Sequence, residues 1–247
     1  MTPKYIIMKY FILSILIAFS VELDINNLIN YFRSFLQKNV SNKDFLKGVE
    51  LFRKLPPQTY PENLEYNIKN FEKHLSSIKA NNGYIEDQHN YYDMKYGLKT
   101  ISDSGCEVIA LYNALYDLTG EENRDFPAMI DYFEKDGIML YGYFGTAPQA
   151  IEEYINKLGF KTMGATEKED YPKIEEACDT FILTKYNNEE DIMDMIHTIC
   201  ISKRNGKFYT HNNGYYGRSI GYDSISDALS RDGRAKGIYL VGIQKQE

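Results

Sequence analysis

The chain has 247 residues, of which 43% are hydrophobic, and a formal net charge of -7. That hydrophobic content is enough to fill a packed core and argues against global disorder. The acidic balance argues against a nucleic-acid-binding protein, which would usually present a basic face.

The three cysteines are Cys106, Cys178 and Cys200, an odd number that cannot be fully paired within the chain. Their spacing matches no zinc pattern, and the sequence contains no phosphate loop or dinucleotide fingerprint. We therefore expect at least one free thiol, no metal and no cofactor. Cys178 and Cys200 lie in apolar stretches, which is typical of buried, inert thiols.

Residues 1–22 are dominated by a strongly apolar run over 5–21, with Lys4 and Lys9 near its start. Three interpretations stay open. The run has the length of a signal-peptide core but is followed by no A-x-A-like cleavage site. As a membrane anchor, the uninterrupted run after Lys9 is shorter than the ~20 residues needed to span a bilayer. Tilting of the helix or snorkelling of Lys9 would relieve that shortfall. It can also be a buried helix. The sequence therefore favours either a membrane-anchored or exported protein, which would associate with the membrane through 5–21, or a cytoplasmic protein.

Residues 23–83 are predicted to be a helical N-terminal extension. Apolar residues recur at helical spacing, first around Phe32 and Phe45 and again after Pro61. The second stretch predicts one apolar stripe, which consists of Leu64, Ile68, Phe71, Leu75 and Ile78. It ends at Asn81-Asn82-Gly83, a turn signal. From residue 84 to 247 short helices and strands alternate, and we place the main domain there.

The segment around Cys106 predicts a helix that begins at this cysteine. Residues 107–115 have a helical apolar pattern, and Asp103 or Ser104 is expected to cap it. Cys106 then lies in the first turn, where unpaired N–H groups and the helix dipole favour a thiolate over a thiol. The alternative is a small buried residue at a helix start.

About 90 residues downstream, His197 opens a β-rich run that is joined to a second run by Asn205-Gly206. This dipeptide is the strongest short hairpin signal and predicts a type I′ turn. Pairing across the turn places Asn212 on the same face as His197, so its amide oxygen can accept the Nδ1–H of the imidazole. Nε2 would then be the proton acceptor for a thiol. Singly, a surface histidine and a turn asparagine are the simpler interpretations.

Together these residues resemble the papain-like cysteine peptidases, and in particular the bacterial branch that includes the double-glycine leader peptidases. The resemblance covers roughly residues 91–243. It is carried by SGCEVIALYNAL around Cys106, by IHTICISKRNGKFYTHN from residue 196 to Asn212, and by the glycine-rich segment 142–148. It implies an α+β fold in which a helical lobe bears the cysteine and an antiparallel sheet bears the histidine and asparagine. It also implies that Cys106 is the nucleophile, His197 the general base and Asn212 the orienting residue.

The oxyanion hole departs from this family's pattern. The family usually carries a glutamine six positions before the cysteine, where this sequence has Thr100. The main-chain N–H of Cys106 supplies one donor. The second is expected from Gln88, from Ser102 or Thr100, or is missing, and losing a donor costs on the order of 10²–10³ in rate.

The sequence therefore predicts a cysteine peptidase or amidase that cleaves a peptide or isopeptide-like amide through a thioester. Its expected partner is a peptide or protein substrate. Two alternatives remain: a papain-like acyl transferase, and a catalytically silent module that binds peptides or assembles at a membrane.

Overall fold

The computed structural model describes residues 41–53, 60–121, 125–188, 196–214, 220–231 and 233–245, together with the isolated helical residues Asn27, Asn30 and Ser34. The expectations for 5–21, and for most of the helix predicted over 22–40, lie outside the described residues. The chain divides into two compact units, residues 1–40 and 41–247, and the boundary predicted after Gly83 falls inside the second. In the part of the chain that is described, no helix is long and apolar enough to cross a membrane.

The second unit is α+β. Its described helices are α1 (Asn42–Arg53), α2 (Pro61–Phe71), α3 (Leu75–Ala80), α4 (Ile101–Ser104), α5 (Cys106–Thr119), α6 (Phe126–Lys135), α7 (Pro148–Lys157), α8 (Tyr171–Ala177) and α9 (Ile225–Arg231). Its described strands are β1 (Lys95–Tyr96), β2 (Lys99–Thr100), β3 (Thr162–Ala165), β4 (Thr180–Tyr186), β5 (Ile196–Arg204), β6 (Lys207–His211) and β7 (Lys236–Ile243).

The strands form a two-stranded ribbon, β1-β2, and a five-stranded antiparallel sheet in the order β3-β7-β4-β5-β6. Helix α5 packs on one face of the large sheet against β4 and β5. Helices α8 and α9 cover the other face, where Tyr171 and Ile225 join the apolar cluster that contains Leu183 and Ile199. The sheet is thus buried on both sides, which fits the unbroken burial of the middle of β4 and β5.

The hairpin of β5 and β6 forms as predicted. Arg204 pairs with Lys207, and Asn205 and Gly206 between them have φ of 51° and 74°, the two positive values that a type I′ turn requires. Asparagine and glycine adopt this conformation at low cost. The pairing extends back to Cys200 and His211, where the described ladder ends.

Helix α2 buries amides where the centre of the apolar stripe was predicted, whereas Phe71 and Ile78 of that stripe are buried as expected. Ile68 is 51% exposed, whereas Asn63, Asn67 and Asn70 are buried, so the stripe was wrong at its centre. The amide of Asn67 donates to the carbonyl of Lys95 at 2.9 Å and accepts its N–H at 2.7 Å. The side chain therefore pairs with the short strand β1 as a neighbouring strand would.

Helix α5 holds a second extended segment in the same way. The amide of Asn113 accepts the N–H of Ile85 and donates to its carbonyl, both at 2.8 Å. Since the segment 84–88 is not part of either described sheet, this side chain satisfies buried main-chain groups that would otherwise be costly. The segment is thereby fixed against the helix that begins at Cys106.

Candidate active site

The start of α5 is built from two helices joined at Gly105. Thr100 caps the short helix α4 in a capping box with Asp103, and Gly105 is the N-cap of α5. The predicted cap at Asp103 or Ser104 was therefore wrong, because both lie inside α4. A Cβ at Gly105 would lie 2.9 Å from the Cα of Ile101, so the tight junction requires glycine. Cys106 occupies the first turn of α5, as predicted.

Cys106 is 6% exposed, and its thiol has two described partner residues, Glu107 and Thr198. It donates to Oε2 of Glu107 at 3.3 Å and receives hydrogen bonds from the main-chain N–H groups of Thr198 and Glu107. Burial and the neighbouring carboxylate raise the pKa of the Cys106 thiol well above its ordinary value, and these two N–H groups offset the rise only in part. The expected thiolate-favouring environment is therefore wrong for this structure: the thiol form is stabilised.

The contact with Thr198 lies at an open edge of β5. In a two-residue hairpin, the residues that flank the turn exchange hydrogen bonds and every second residue follows them. The main-chain N–H and C=O groups of Arg204 and Cys200 therefore point toward β6, and those of Thr198 point in the same direction. Because the described ladder ends at His211, the N–H of Thr198 is available to the Cys106 sulfur. The nucleophile candidate is thus bound to the residue that directly follows His197.

His197 and Asn212 meet, but through different atoms from those predicted. Nε2 of His197 lies 2.6 Å from the main-chain carbonyl oxygen of Asn212. A carbonyl only accepts, so Nε2 carries the proton, and in the neutral ring Nδ1 is the basic nitrogen. Asn212 has φ of 56° and follows the last residue of β6, so the strand alternation used to orient its side chain does not extend to it.

The amide of Asn212 binds Gln88 instead. Its Oδ1 accepts the main-chain N–H of Gln88 at 3.0 Å, and its Nδ2 donates to Oε1 of Gln88 at 3.2 Å. Nε2 of Gln88 in turn donates to the carbonyl of Ser102 at 3.0 Å, four residues before Cys106. Gln88 thus bridges the hairpin end and the helix start. The hydroxyl of Thr100, another predicted oxyanion donor, takes part in the capping box.

A buried histidine with no predicted role, His211, supports Asn212. His211 is 3% exposed, and its Nδ1 lies 2.8 Å from Oε1 of Glu86, while its Nε2 lies 2.9 Å from Oγ of Ser202. The other oxygen of Glu86 accepts the N–H of Asn212 at 3.1 Å. The ring stacks on Tyr84 with centroids 3.8 Å apart. Strand alternation places His211 and Ser202 on one face, but no local pattern indicates Glu86.

Strand alternation also constrains how the predicted site residues meet. Strand alternation places the side chains of His197 and Ile199 on the same face of β5, and Ile199 packs beneath α8 and α9. Helix α5 lies on the opposite face of the sheet. The described contacts link Cys106 to the main chain of Thr198, and His197 to the main chain of Asn212. The three predicted residues and Gln88 are therefore connected through the edge of β5 and the end of β6.

The described cysteines are all free and buried, which agrees with the prediction for Cys178 and Cys200. The described residues include no cluster of three or more His, Cys, Asp or Glu side chains that could hold a metal ion. A scan against protein-family models and a search of curated proteins both return no match for this chain.

Proposed function

We propose that the chain is a cysteine-nucleophile hydrolase of the papain-like type, acting on a peptide or isopeptide-like amide. The observation that carries the proposal is the chain of contacts from Cys106, at the first turn of α5, to Thr198 on β5, which directly follows His197. The carbonyl of Asn212 binds the imidazole of His197. Amide hydrolysis by a thiol requires a cysteine within reach of a histidine base, and a helix start next to a histidine-bearing strand can supply that pair.

The architecture supports a papain-like fold. The helix that begins at Cys106 packs on an antiparallel sheet, and His197 lies on its strand β5. Asn212 directly follows β6, the partner of β5 in the hairpin. The chain order Cys106, His197, Asn212 and the helix start and strand that carry the first two residues support the proposal.

The proposed reaction requires the imidazole of His197 to turn around the edge of β5 toward α5, and it begins when the thiol proton of Cys106 passes to Nδ1 of His197. The thiolate adds to the substrate carbonyl carbon, and the negative charge moves to the carbonyl oxygen. Collapse of this intermediate breaks the amide bond, and the leaving amine takes the proton from His197. Water, deprotonated by the same imidazole, then hydrolyses the thioester. The N–H of Cys106 and the second N–H of the Gln88 amide are the proposed donors to the oxyanion.

A second candidate is favoured by the state of the thiol. The raised pKa of Cys106 and its hydrogen bond to Glu107 are what a catalytically silent papain-like module would show. Such a module would use the same surface to bind peptides without forming a thioester.

Site-resolved alkylation of the full chain separates the two candidates. We expect iodoacetamide near pH 6 to modify Cys106 about tenfold or more faster than Cys178 or Cys200, which are the internal controls. Replacing His197 with alanine should abolish that excess. Equal, slow modification of all three thiols would favour the silent module. For an active protein, added amines would divert the thioester into a new amide only if the chain is an acyl transferase.

A further inference from the structure

Two acidic groups share the positive end of helix α5. Cys106 and Glu107 are the first two residues of the helix, and they are 6% and 4% exposed. The dipole and the unpaired N–H groups of a helix start stabilise a nearby negative charge. The carboxylate of Glu107 already occupies that position, 3.3 Å from the sulfur of Cys106. A thiolate formed there would be a second negative charge in the same buried place.

The surroundings of Glu107 are built to bind a carboxylate. The main-chain N–H of Thr146 and the side chain of Thr198 both hydrogen-bond to it. Gly145 has φ of 70°, and a Cβ there would lie 2.6 Å from Oε2 of Glu107. A buried charge without such partners would be strongly unfavourable. The segment 145–146 and the strand β5 therefore both converge on this one side chain, beside the thiol.

We propose that Glu107 sets the protonation state of Cys106: its carboxylate keeps the thiol protonated, and the thiolate forms readily only when Glu107 has itself taken up a proton. This inference deepens the proposed function and rests on Cys106 being the nucleophile. Glu107 is then a positioning residue. Its carboxylate accepts the thiol hydrogen bond and affects the reaction only through the protonation of Cys106.

The ionisable groups around Glu107 support this coupling. They are Cys106 on its own helix and Tyr96 of β1, whose hydroxyl lies 2.6 Å from that of Thr146. His197 precedes Thr198 on β5, and strand alternation places it with Ile199 on the other face of the sheet. Burial raises the pKa of Glu107 to about 7, and burial likewise raises the pKa of Tyr96 well above its ordinary value, so Tyr96 stays neutral. Near neutral pH, Glu107 is therefore the group of this set that the structure places close to its titration point.

The test compares Cys106 alkylation in the full-length wild type and in Glu107→Gln between pH 5 and 9. Glutamine retains the shape but removes the charge, so the Cys106 pKa should fall. Each unit of that fall should raise the alkylation rate about threefold, because part of the tenfold gain in thiolate is offset by lower nucleophilicity. The variant and the wild type should react equally near pH 5, where Glu107 is protonated. Their ratio should grow above pH 7, where the wild-type profile flattens.

Glu134→Gln is the matched control. Glu134 is also a buried carboxylate whose burial raises its pKa to about 7, but it bonds the N–H of Gly97 and the amide of Asn63 instead of a thiol. It should leave the Cys106 profile unchanged. Thr198→Val is the second test variant, because it removes a donor to Glu107 and should move the flattening of the profile to higher pH.

The two proposals fail in different ways. A Glu107→Gln rate that equals the wild-type rate, or differs by the same factor at every pH, would overturn the role of Glu107. A pH-dependent ratio combined with no effect of His197→Ala would support that role and would overturn the hydrolase. If Glu107→Gln unfolds the chain, Cys178 and Cys200 will also react rapidly, and the profile of Thr198→Val decides.

Discussion

Nε2 of His197 lies 2.6 Å from the main-chain oxygen of Asn212, so the imidazole is held by a carbonyl and not by the asparagine amide. Asn212 needs its left-handed φ of 56° to present this carbonyl. Glycine adopts that conformation without strain, whereas alanine there costs about 1–2 kcal/mol.

The pair Asn212→Gly and Asn212→Ala separates main-chain from side-chain orientation. Both variants lose the hydrogen bonds to Gln88, but only glycine keeps the backbone conformation. We expect Asn212→Gly to retain most of the His197-dependent alkylation of Cys106 and Asn212→Ala to lose most of it. The measurement is the site-resolved alkylation rate near pH 6. An equal loss in both variants would show that the amide is the orienting group.

A second prediction concerns the space that Gly145 leaves for Glu107. Gly145 and Gly120 both have φ of 70°, but a Cβ at Gly120 meets nothing within 4 Å. Gly120→Ala should therefore cost about 1 kcal/mol of unfolding free energy through its φ alone. Gly145→Ala should cost about 1–3 kcal/mol more, since Glu107 must move to avoid overpacking. Urea unfolding of both variants measures the difference, and equal losses would contradict the crowding.

The third prediction is a decline of stability as the pH rises. Burial raises the pKa of Glu107 and of Glu134 from 4.5 to about 7. Between these values the folded chain binds more protons than the unfolded chain, so the unfolding free energy falls as the pH rises through this window. Each carboxyl contributes on the order of 3 kcal/mol to the fall. Glu134→Gln should flatten the decline between pH 5 and 8.

Urea unfolding at pH 5, 6, 7 and 8 measures this slope for the wild type and for Glu134→Gln. Glu65→Gln is the control, because Glu65 lies on α2 beside the buried amides but is itself exposed. It should leave the slope as it is. A wild type whose unfolding free energy is constant or rises across this range would contradict the raised pKa values.

Local sequence chemistry predicted the parts of the fold that local geometry decides. Asn205-Gly206 specifies its turn because two consecutive positive φ values suit these residues. Ser224 lies directly before α9, and its Oγ accepts the N–H of Asp227 at 3.0 Å, as a serine at a helix start favours. The apolar run that ends at Ile243 is typical of a strand, and β7 spans it as Lys236–Ile243. Each of these features depends on neighbours in sequence.

The contacts that the sequence did not reveal join residues that are far apart. Asn67 binds Lys95 and Glu86 binds His211, across 28 and 125 positions. A polar residue on a helix predicts a solvated face unless its distant partner is known, so the burial of the α2 amides in place of Ile68 was not predicted. The environment of Cys106 was missed for a different reason, since Glu107 is its direct neighbour in sequence. A helix start favours a thiolate only until burial is included, and burial depends on the whole fold.

Helix α5 fixes the distance between two parts of the candidate site, because it carries both Cys106 and Asn113. Cys106 stands at its first position, and Asn113, seven residues and about two turns later, holds Ile85 by both main-chain groups. Gln88 follows Ile85 by three residues. The rise of α5 from Cys106 to Asn113, ~10 Å, therefore sets the distance between the nucleophile candidate and the point at which the segment that carries Gln88 is held. A change of helix length between the two positions would displace the anchor and the nucleophile relative to each other while leaving every local contact intact.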